Sequence, residues 1–449
     1  MGGNSLIDSR MGPCEMNPEP KVEKSSVAHQ CRRRIMRRLL PYLFLLYIIA
    51  YLDRVNVGFA ALQMRADLKF DDQVIGFGAG IFFVGYFLLE IPGCIIVEKW
   101  SARRWIARIM VSWGIVAVLM GFVQTKTQFY SLRFLLGAAE AGFFPGIIVY
   151  LSHWFRHQDR AKVVAMFMAA QPIAIIFGAP LSGLLLDVKW LGLSGWRWLF
   201  IIEGLPAIVF GLVTIFYLTD RPHQAGWLPV DERDWLTAEL EHEAQAKKRE
   251  HSPSILQAFR HREVILLTLA FFCIVTAAYG FTFWLPTIIK RASGASNLVV
   301  SLLSAIPYFA GLAAILVVGW SSDRTGERRW HTALSMLAVS VGLLFGVVAQ
   351  QHIVLAIVMF SVGVVGLYGY LPGFWALPTS FLTGTAAAAS IGLINSIGNL
   401  GGWAGPWLVG YLSKATGSFV SGALCLSLSA MIAAGLVLTM RATKKSAVL

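Results

Sequence analysis

Two arginines, Arg54 and Arg133, stand inside long apolar stretches of the chain. Acids share that setting: Asp53, Glu90, Glu140 and Glu203, with Asp187 at the end of such a stretch. An ionisable group at the middle of a bilayer costs at least about 2.5–3.5 kcal/mol unless it is paired or hydrated. These groups therefore mark either a static charge brace or a wet cavity. A guanidinium stays charged at any working pH and offers a planar fork of donors that matches a carboxylate. A buried carboxylic acid can take up and release a proton. The residue types thus suit capture of a carboxylate anion coupled to proton movement. No histidine lies deep in an apolar stretch, so a proton relay must use carboxylates.

Spacing narrows the reading. Arg133 and Glu140 are seven apart and share one helix face, about 10 Å from each other. Asp53 and Arg54 are adjacent, so they point about 100° apart and need separate partners. That favours a cavity with exchangeable partners. Neutral polar residues extend the candidate binding set: Tyr86, Gln171 before Pro172, and Asn395 with Asn399 at i,i+4. Amides can bind hydroxyls or bridge helices, and Asn395 is the stronger ligand candidate. Tyr279, Tyr368 and Trp375 read as gap-filling aromatics, and Glu90 and Glu203 as structural helix pairings.

These residues need elements that cross a membrane. Of 449 residues, 56% are hydrophobic and 14% charged, against about 25% charged in a soluble domain. A water-soluble or disordered chain is excluded, and helix-length apolar stretches exclude a β-barrel. Spans of about 20 residues are expected at 39–61, 73–97, 105–124, 127–151, 161–186 and 197–219. Six more follow at 263–289, 297–320, 331–350, 353–377, 386–411 and 418–440. The expected fold is all-α integral membrane: twelve transmembrane helices in two six-helix bundles, 36–220 and 263–441. A cytoplasmic tail (1–35), a cytoplasmic central loop (221–262) and a short C-terminal tail (442–449) complete the chain. Segment 1–38 has no small-residue cleavage site before an apolar core and does not read as a signal peptide. In the central loop Trp235, Leu236, Glu239, Leu240 and Glu243 fit a short amphipathic helix.

Lys and Arg set the orientation. With both termini cytoplasmic, 28 of the 38 bases fall on that side and 8 opposite, with Arg54 and Arg133 inside spans. The net charge of +13 is spread between spans rather than gathered for nucleic acid, and the Arg32–Arg38 run suits anionic lipid.

The halves repeat. Glu98-Lys-Trp-Ser-Ala-Arg-Arg-Trp105 and Asp323-Arg-Thr-Gly-Glu-Arg-Arg-Trp330 stand 225 residues apart, and Gly178-Ala-Pro180 and Ala404-Gly-Pro406 stand 226 apart. Parallel six-span repeats belong to secondary transporters, with substrate at the midplane between halves. Glu98, Arg103, Asp323, Arg324 and Arg328 are expected to form a latch on the cytoplasmic side.

That loop resembles the signature of the major facilitator superfamily, an acid-base-x-Gly-x-Arg-Arg pattern. The second copy fits well; the first has Glu98 and Lys99 for Asp and Arg, and Ser101 in place of Gly. Tyr51-Leu-Asp-Arg-Val-Asn-Val-Gly-Phe-Ala60, Arg133-Phe-Leu-Leu-Gly-Ala-Ala-Glu-Ala-Gly-Phe-Phe-Pro145 and Trp196-Arg-Trp-Leu-Phe-Ile-Ile-Glu-Gly-Leu-Pro206 are similar to its anion:cation symporter branch. The likeness covers about 36–441 and is nearest to tartrate- and phthalate-type permeases. It implies uptake of a small organic anion by proton symport. It implies that Arg54 holds a substrate carboxylate, that Asp53 and Glu140 couple protons, and that Arg133 partners Glu140.

Other chemistries lack their residues. His153 and His157 are i,i+4, but no third metal ligand is nearby. No phosphate-binding loop or nucleophile elbow occurs. The expectation is a monomeric transporter in the plasma (inner) membrane without cofactor or metal, and not an enzyme. The alternatives are an anion exchanger or uniporter, then a membrane enzyme or an anion sensor.

Overall fold

The computed structural model describes residues 21–249, 259–382 and 384–440. The first twenty residues, the C-terminal tail 442–449, and the side chains of Glu98 and Lys247–Arg249 lie outside the described residues. Among the described residues the structure is helical throughout, without strands.

In the N-terminal half run α1 (Lys21–Leu68), α2 (Asp72–Lys99), α3 (Ala102–Met120), α4 (Lys126–Glu140), α5 (Phe143–Ser152), α6 (His157–Met168), α7 (Ala170–Leu186) and α8 (Gly195–Tyr217). The linker helix α9 is Val230–Arg249. The C-terminal half holds α10 (Arg262–Ser293), α11 (Asn297–Thr325), α12 (Arg329–Val348), α13 (Ile353–Ala376), α14 (Gly384–Asn399), α15 (Gly401–Thr416) and α16 (Val420–Leu438). Ten passes are long and apolar enough to cross a membrane. The arginine-bearing α3 and the divided pass α14–α15 bring the number to twelve. The bundle therefore has a basic end, carrying Arg32–Arg38 and α9, and an opposite end.

Local sequence explains where passes start. Asp71 accepts from Val74 N and caps α2. Ser101 accepts from Arg104 N and caps α3. Thr125 and Gln128 form a reciprocal capping box on α4. Each satisfies backbone donors that a helix start leaves open.

Three features differ from the sequence expectation. Helix α1 starts at Lys21 and runs to Leu68, well beyond 39–61 at both ends. Arg54 therefore lies fourteen residues from the opposite end, about 21 Å deep. Segment 21–35 is helical rather than a loose tail. Second, the fourth pass breaks immediately after Glu140: Ala141 leaves the helical region and Gly142 takes φ 84°, a left-handed conformation that costs other L-residues about 1–2 kcal/mol. The fifth and eleventh passes are divided as well, at Ala169 and Leu400. Third, α9 is docked on the N-terminal half. Leu236 is buried there, Arg34 pairs with Glu232 at 3.2 Å, Arg156 lies over the Trp235 ring at 5.3 Å, and Glu243 accepts from His157 N at 3.1 Å.

The two halves are sealed together at the opposite end. Asp72 accepts from Arg291 at 2.9 Å and from Ser413 at 2.7 Å, and also from Arg65 of its own half. Lys414 pairs with Asp71 at 2.8 Å. Backbones touch there: a Cβ on Gly80 would lie 2.6 Å from Trp403 O, and one on Gly58 2.6 Å from Phe283 O.

At the basic end, away from the seal, the loop charges expected to latch the cytoplasmic side are partnered within each half. Arg103 engages Asp220 at the end of α8, by its backbone N–H at 2.9 Å and by Nε at 3.8 Å. Asp323 pairs with Arg328 at 2.5 Å, and Arg324 lies over Trp320. Each contact stays within one half. Helix starts and ends compete for these charges and win, because the partner is already a few ångströms away. His153 at this end is pushed down to about 4 by burial and by Arg221, so it carries no charge near neutral pH.

Candidate functional site

Between the halves lies a cavity of about 110 Å³. A water needs roughly 10–15 Å³, so the cavity has room for several waters or a small organic solute. Arg54, Tyr86, Gln171, Asn395 and Asn399 all line it. The N-terminal wall comes from α1, α2, α5, α6 and α7, the C-terminal wall from α10, α13 and α14.

Among the described residues Arg54 is the one guanidinium on this wall. Its Nε donates to Glu140 Oε1 at 2.6 Å. The guanidinium also lies over the Tyr86 and Phe82 rings, at 5.0 and 5.8 Å. Glu140 is 1% exposed and occupies the last position of α4, at the break in the fourth pass. Interrupted helices at mid-membrane are characteristic of transporter ligand sites, because local main chain is released from the helix ladder. A charge-assisted pair of this kind is strong, yet either partner can be replaced by another carboxylate or a proton.

Arg133 is placed differently from the sequence expectation. Its Nε and Nη2 donate to the carbonyls of Gly78 and Ala79 at 3.2 and 3.3 Å. It is 1% exposed and reaches only a void of about 10 Å³ that it shares with Arg54. So Glu140 is partnered by Arg54 rather than by Arg133, and only one of the two arginines faces the main cavity. The cause is the tight packing of α4 on α2 through Gly85 and Gly137, which presses Arg133 onto the α2 main chain.

Asp53 is also behind the wall. Its Oδ2 accepts from Trp113 Nε1 at 2.8 Å and its Oδ1 from Asn56 Nδ2 at 3.3 Å. It is 1% exposed, and it does not line the cavity that Arg54 lines. Adjacent residues on one helix do face apart, as the sequence predicts. Glu203 is likewise buried within the N-terminal half, accepting from Ser182 at 3.0 Å. Trp113→Phe removes the shorter of the two donors to Asp53. It should destabilise the protein by about 1.5–3 kcal/mol, the range for a bond to a charged group. An unchanged melting temperature in detergent would show that the indole contributes nothing.

Two amides are tied by their nitrogens. Gln171 Nε2 donates to Tyr47 Oη at 2.5 Å, and Asn395 Nδ2 donates to Glu90 Oε1 at 2.5 Å. Sequence reasoning set Glu90 aside as a helix pairing, whereas here it bridges the halves. Tyr47 and Tyr51 were also missed as cavity residues. Their signal was present: 47, 51 and 54 follow the i, i+4, i+7 stripe of one helix face. Tyr279, Tyr368 and Trp375 line the cavity too.

The sequence profile of the Major Facilitator Superfamily matches residues 43–406. A putative tartrate transporter of Agrobacterium vitis is 50% identical over 87% of this chain and 90% of its own length. A quinolone resistance transporter of Acinetobacter baumannii is 40% identical over 91% of this chain and 93% of its own. A solved D-xylose-proton symporter superposes with a TM-score of 0.73 at 14% identity, covering 91% of this chain and 99% of that one. The last likeness carries the fold alone. With twelve passes, two sealed halves and a polar cavity between them, the chain belongs to the Major Facilitator Superfamily and is a multi-pass membrane transporter, not an enzyme.

Proposed function

We propose that this transporter imports a small hydroxylated organic anion, a tartrate-like dicarboxylate or a sugar acid, by proton symport through alternating access. The observation that carries the reading is the Arg54–Glu140 pair on the cavity wall. The relatives named putative tartrate transporters support the substrate class. The 28-to-8 distribution of Lys and Arg supports a basic end in the cytoplasm, with both termini there, in the plasma membrane. A monomer is sufficient, since both walls come from one chain.

The coupling follows from charge. A substrate carboxylate takes the Arg54 fork and displaces Glu140. A carboxylate without its cation in a low-dielectric wall is costly, so Glu140 takes up a proton. One substrate carboxylate then balances the Arg54 charge in place of Glu140, and the halves can rock about the loaded site. Asp53 and Arg133 stand behind the wall and set the field in which Glu140 exchanges its proton.

Glu140→Gln tests this. The amide cannot ionise, so accumulation of tartrate driven by an imposed pH gradient should vanish in proteoliposomes. Exchange of external for internal anion should persist, because it needs no net proton movement. Uphill uptake retained by this variant would remove Glu140 from the coupling role.

A further inference from the structure

Glu90 has no part in the scheme above. It lies on α2, one turn beyond Tyr86 toward the basic end, and is 3% exposed. Asn395 lies on α14, one turn from Asn399 in the same direction. Their 2.5 Å bond joins the two halves. Among the described residues it is the hydrogen bond between halves on the basic-end side of the cavity.

Chemistry fixes how the amide sits. A carboxylate accepts and does not donate. Asn395 must therefore turn its nitrogen to Glu90, and its carbonyl oxygen is left for the cavity it lines. Gln171 on the facing wall is joined to Tyr47 Oη. A hydroxyl both donates and accepts, so this bond leaves either end of the Gln171 amide free for the cavity. An unheld amide rotates and offers a donor or an acceptor at will. A held one offers only the oxygen.

We propose that Glu90 is a specificity-determining positioning residue: by gripping the Asn395 amide from across the gap, it presents the carbonyl oxygen to the cavity and so selects anions that carry a hydroxyl donor. The inference rests on the organic-anion reading above and deepens it. A substrate hydroxyl satisfies the acceptor. The same anion without the hydroxyl leaves a desolvated oxygen unpaired, which is the stronger of the two discriminating effects.

The test compares tartrate with succinate, which shares its two carboxylates and four carbons but has no hydroxyl. Uptake of each is measured with the full chain in proteoliposomes. Wild type should show a KM for tartrate lower by about tenfold or more. Glu90→Leu should bring the two KM values to within about threefold, while the maximal rate for tartrate stays within about threefold of wild type. Removing the Glu90 charge acts alike on two dianions and cancels in their ratio. Glu90→Gln, which can still offer a carbonyl to Asn395, should keep part of the discrimination. If Glu90→Leu is not recovered in the membrane, Asn395→Leu should lose the same discrimination. A ratio unchanged in whichever of these variants is recovered overturns the inference and leaves the organic-anion reading standing. Wild-type protein that takes up neither anion overturns both.

Discussion

Arg54→Gln is expected to reduce organic-anion uptake by a factor of about 100 or more. Two costs combine. The substrate carboxylate loses the Arg54 anchor, the one cation on the cavity wall among the described residues, since Arg133 is committed to the Gly78 and Ala79 carbonyls behind it. A charge-assisted, two-pronged contact in a desolvated site contributes several kcal/mol, and about 2.8 kcal/mol already corresponds to 100-fold. Glu140 is left buried without its 2.6 Å partner, and removing one member of a buried pair costs about 3–5 kcal/mol. The double variant Arg54→Gln, Glu140→Gln separates these effects. It should recover the stability lost in the single variant, because no unpaired charge remains, yet stay inactive. Arg54→Lys keeps the charge but loses the fork, and should retain only a small part of uptake. Near-normal uptake by Arg54→Gln would mean that the anion binds elsewhere in the molecule.

The sequence made the fold legible through composition and spacing. Apolar runs of membrane length, the two copies of the Arg-Arg-Trp loop and the Lys/Arg asymmetry all follow from local chemistry, and each can be read without knowing what packs against what. The candidate site was legible in part for the same reason. A charge in an apolar helix is visible as an anomaly in one dimension, so Arg54, Glu140, Asp53 and Arg133 stood out. Which of them share a cavity was not visible, because it depends on helix rotation and on the spacing of neighbouring helices. Two glycine contacts press α4 onto α2 and turn Arg133 into the main chain. The break at Gly142 also escaped notice. Glycines are frequent in membrane helices for packing, and nothing local distinguishes one that takes φ 84°. The partners that the loop charges take in this structure were hidden for a related reason. Matching loop charges in the two halves suggest pairing across them, but Asp220 and Asp323 offer nearer partners within each half. Bonds between halves, such as Asn395 to Glu90, join residues 305 positions apart and leave no trace in spacing.

The second large effect concerns the seal rather than the site. Gly80→Leu should block transport by about 100-fold while leaving the protein folded. Gly80 of α2 faces Trp403 of α15 so closely that an added Cβ would lie 2.6 Å from the Trp403 carbonyl oxygen. That neighbour is main chain and cannot turn aside, so the closed arrangement of the opposite end must open to admit a side chain. Overpacking of this kind costs about 1–3 kcal/mol, borne only by the conformation in which the halves touch. Each 1.4 kcal/mol is a factor of ten in population, so a cost near the top of that range depletes the sealed conformation by about 100-fold and removes it from the cycle. The conformation open at the opposite end has no such contact and is spared, which is why folding should survive. The polar part of the seal behaves differently. Asp72→Asn weakens the bonds from Arg65 and Arg291 but adds no bulk, so it should slow transport far less than the wedge. Accessibility of a single introduced cysteine at Thr282, on the cavity wall, to a membrane-impermeant thiol reagent added from the opposite end distinguishes the cases. Labelling should rise sharply in Gly80→Leu and modestly in Asp72→Asn. Wild-type labelling and transport in Gly80→Leu would mean that the two halves do not need to close at this contact, and the rocking described above would lose its pivot.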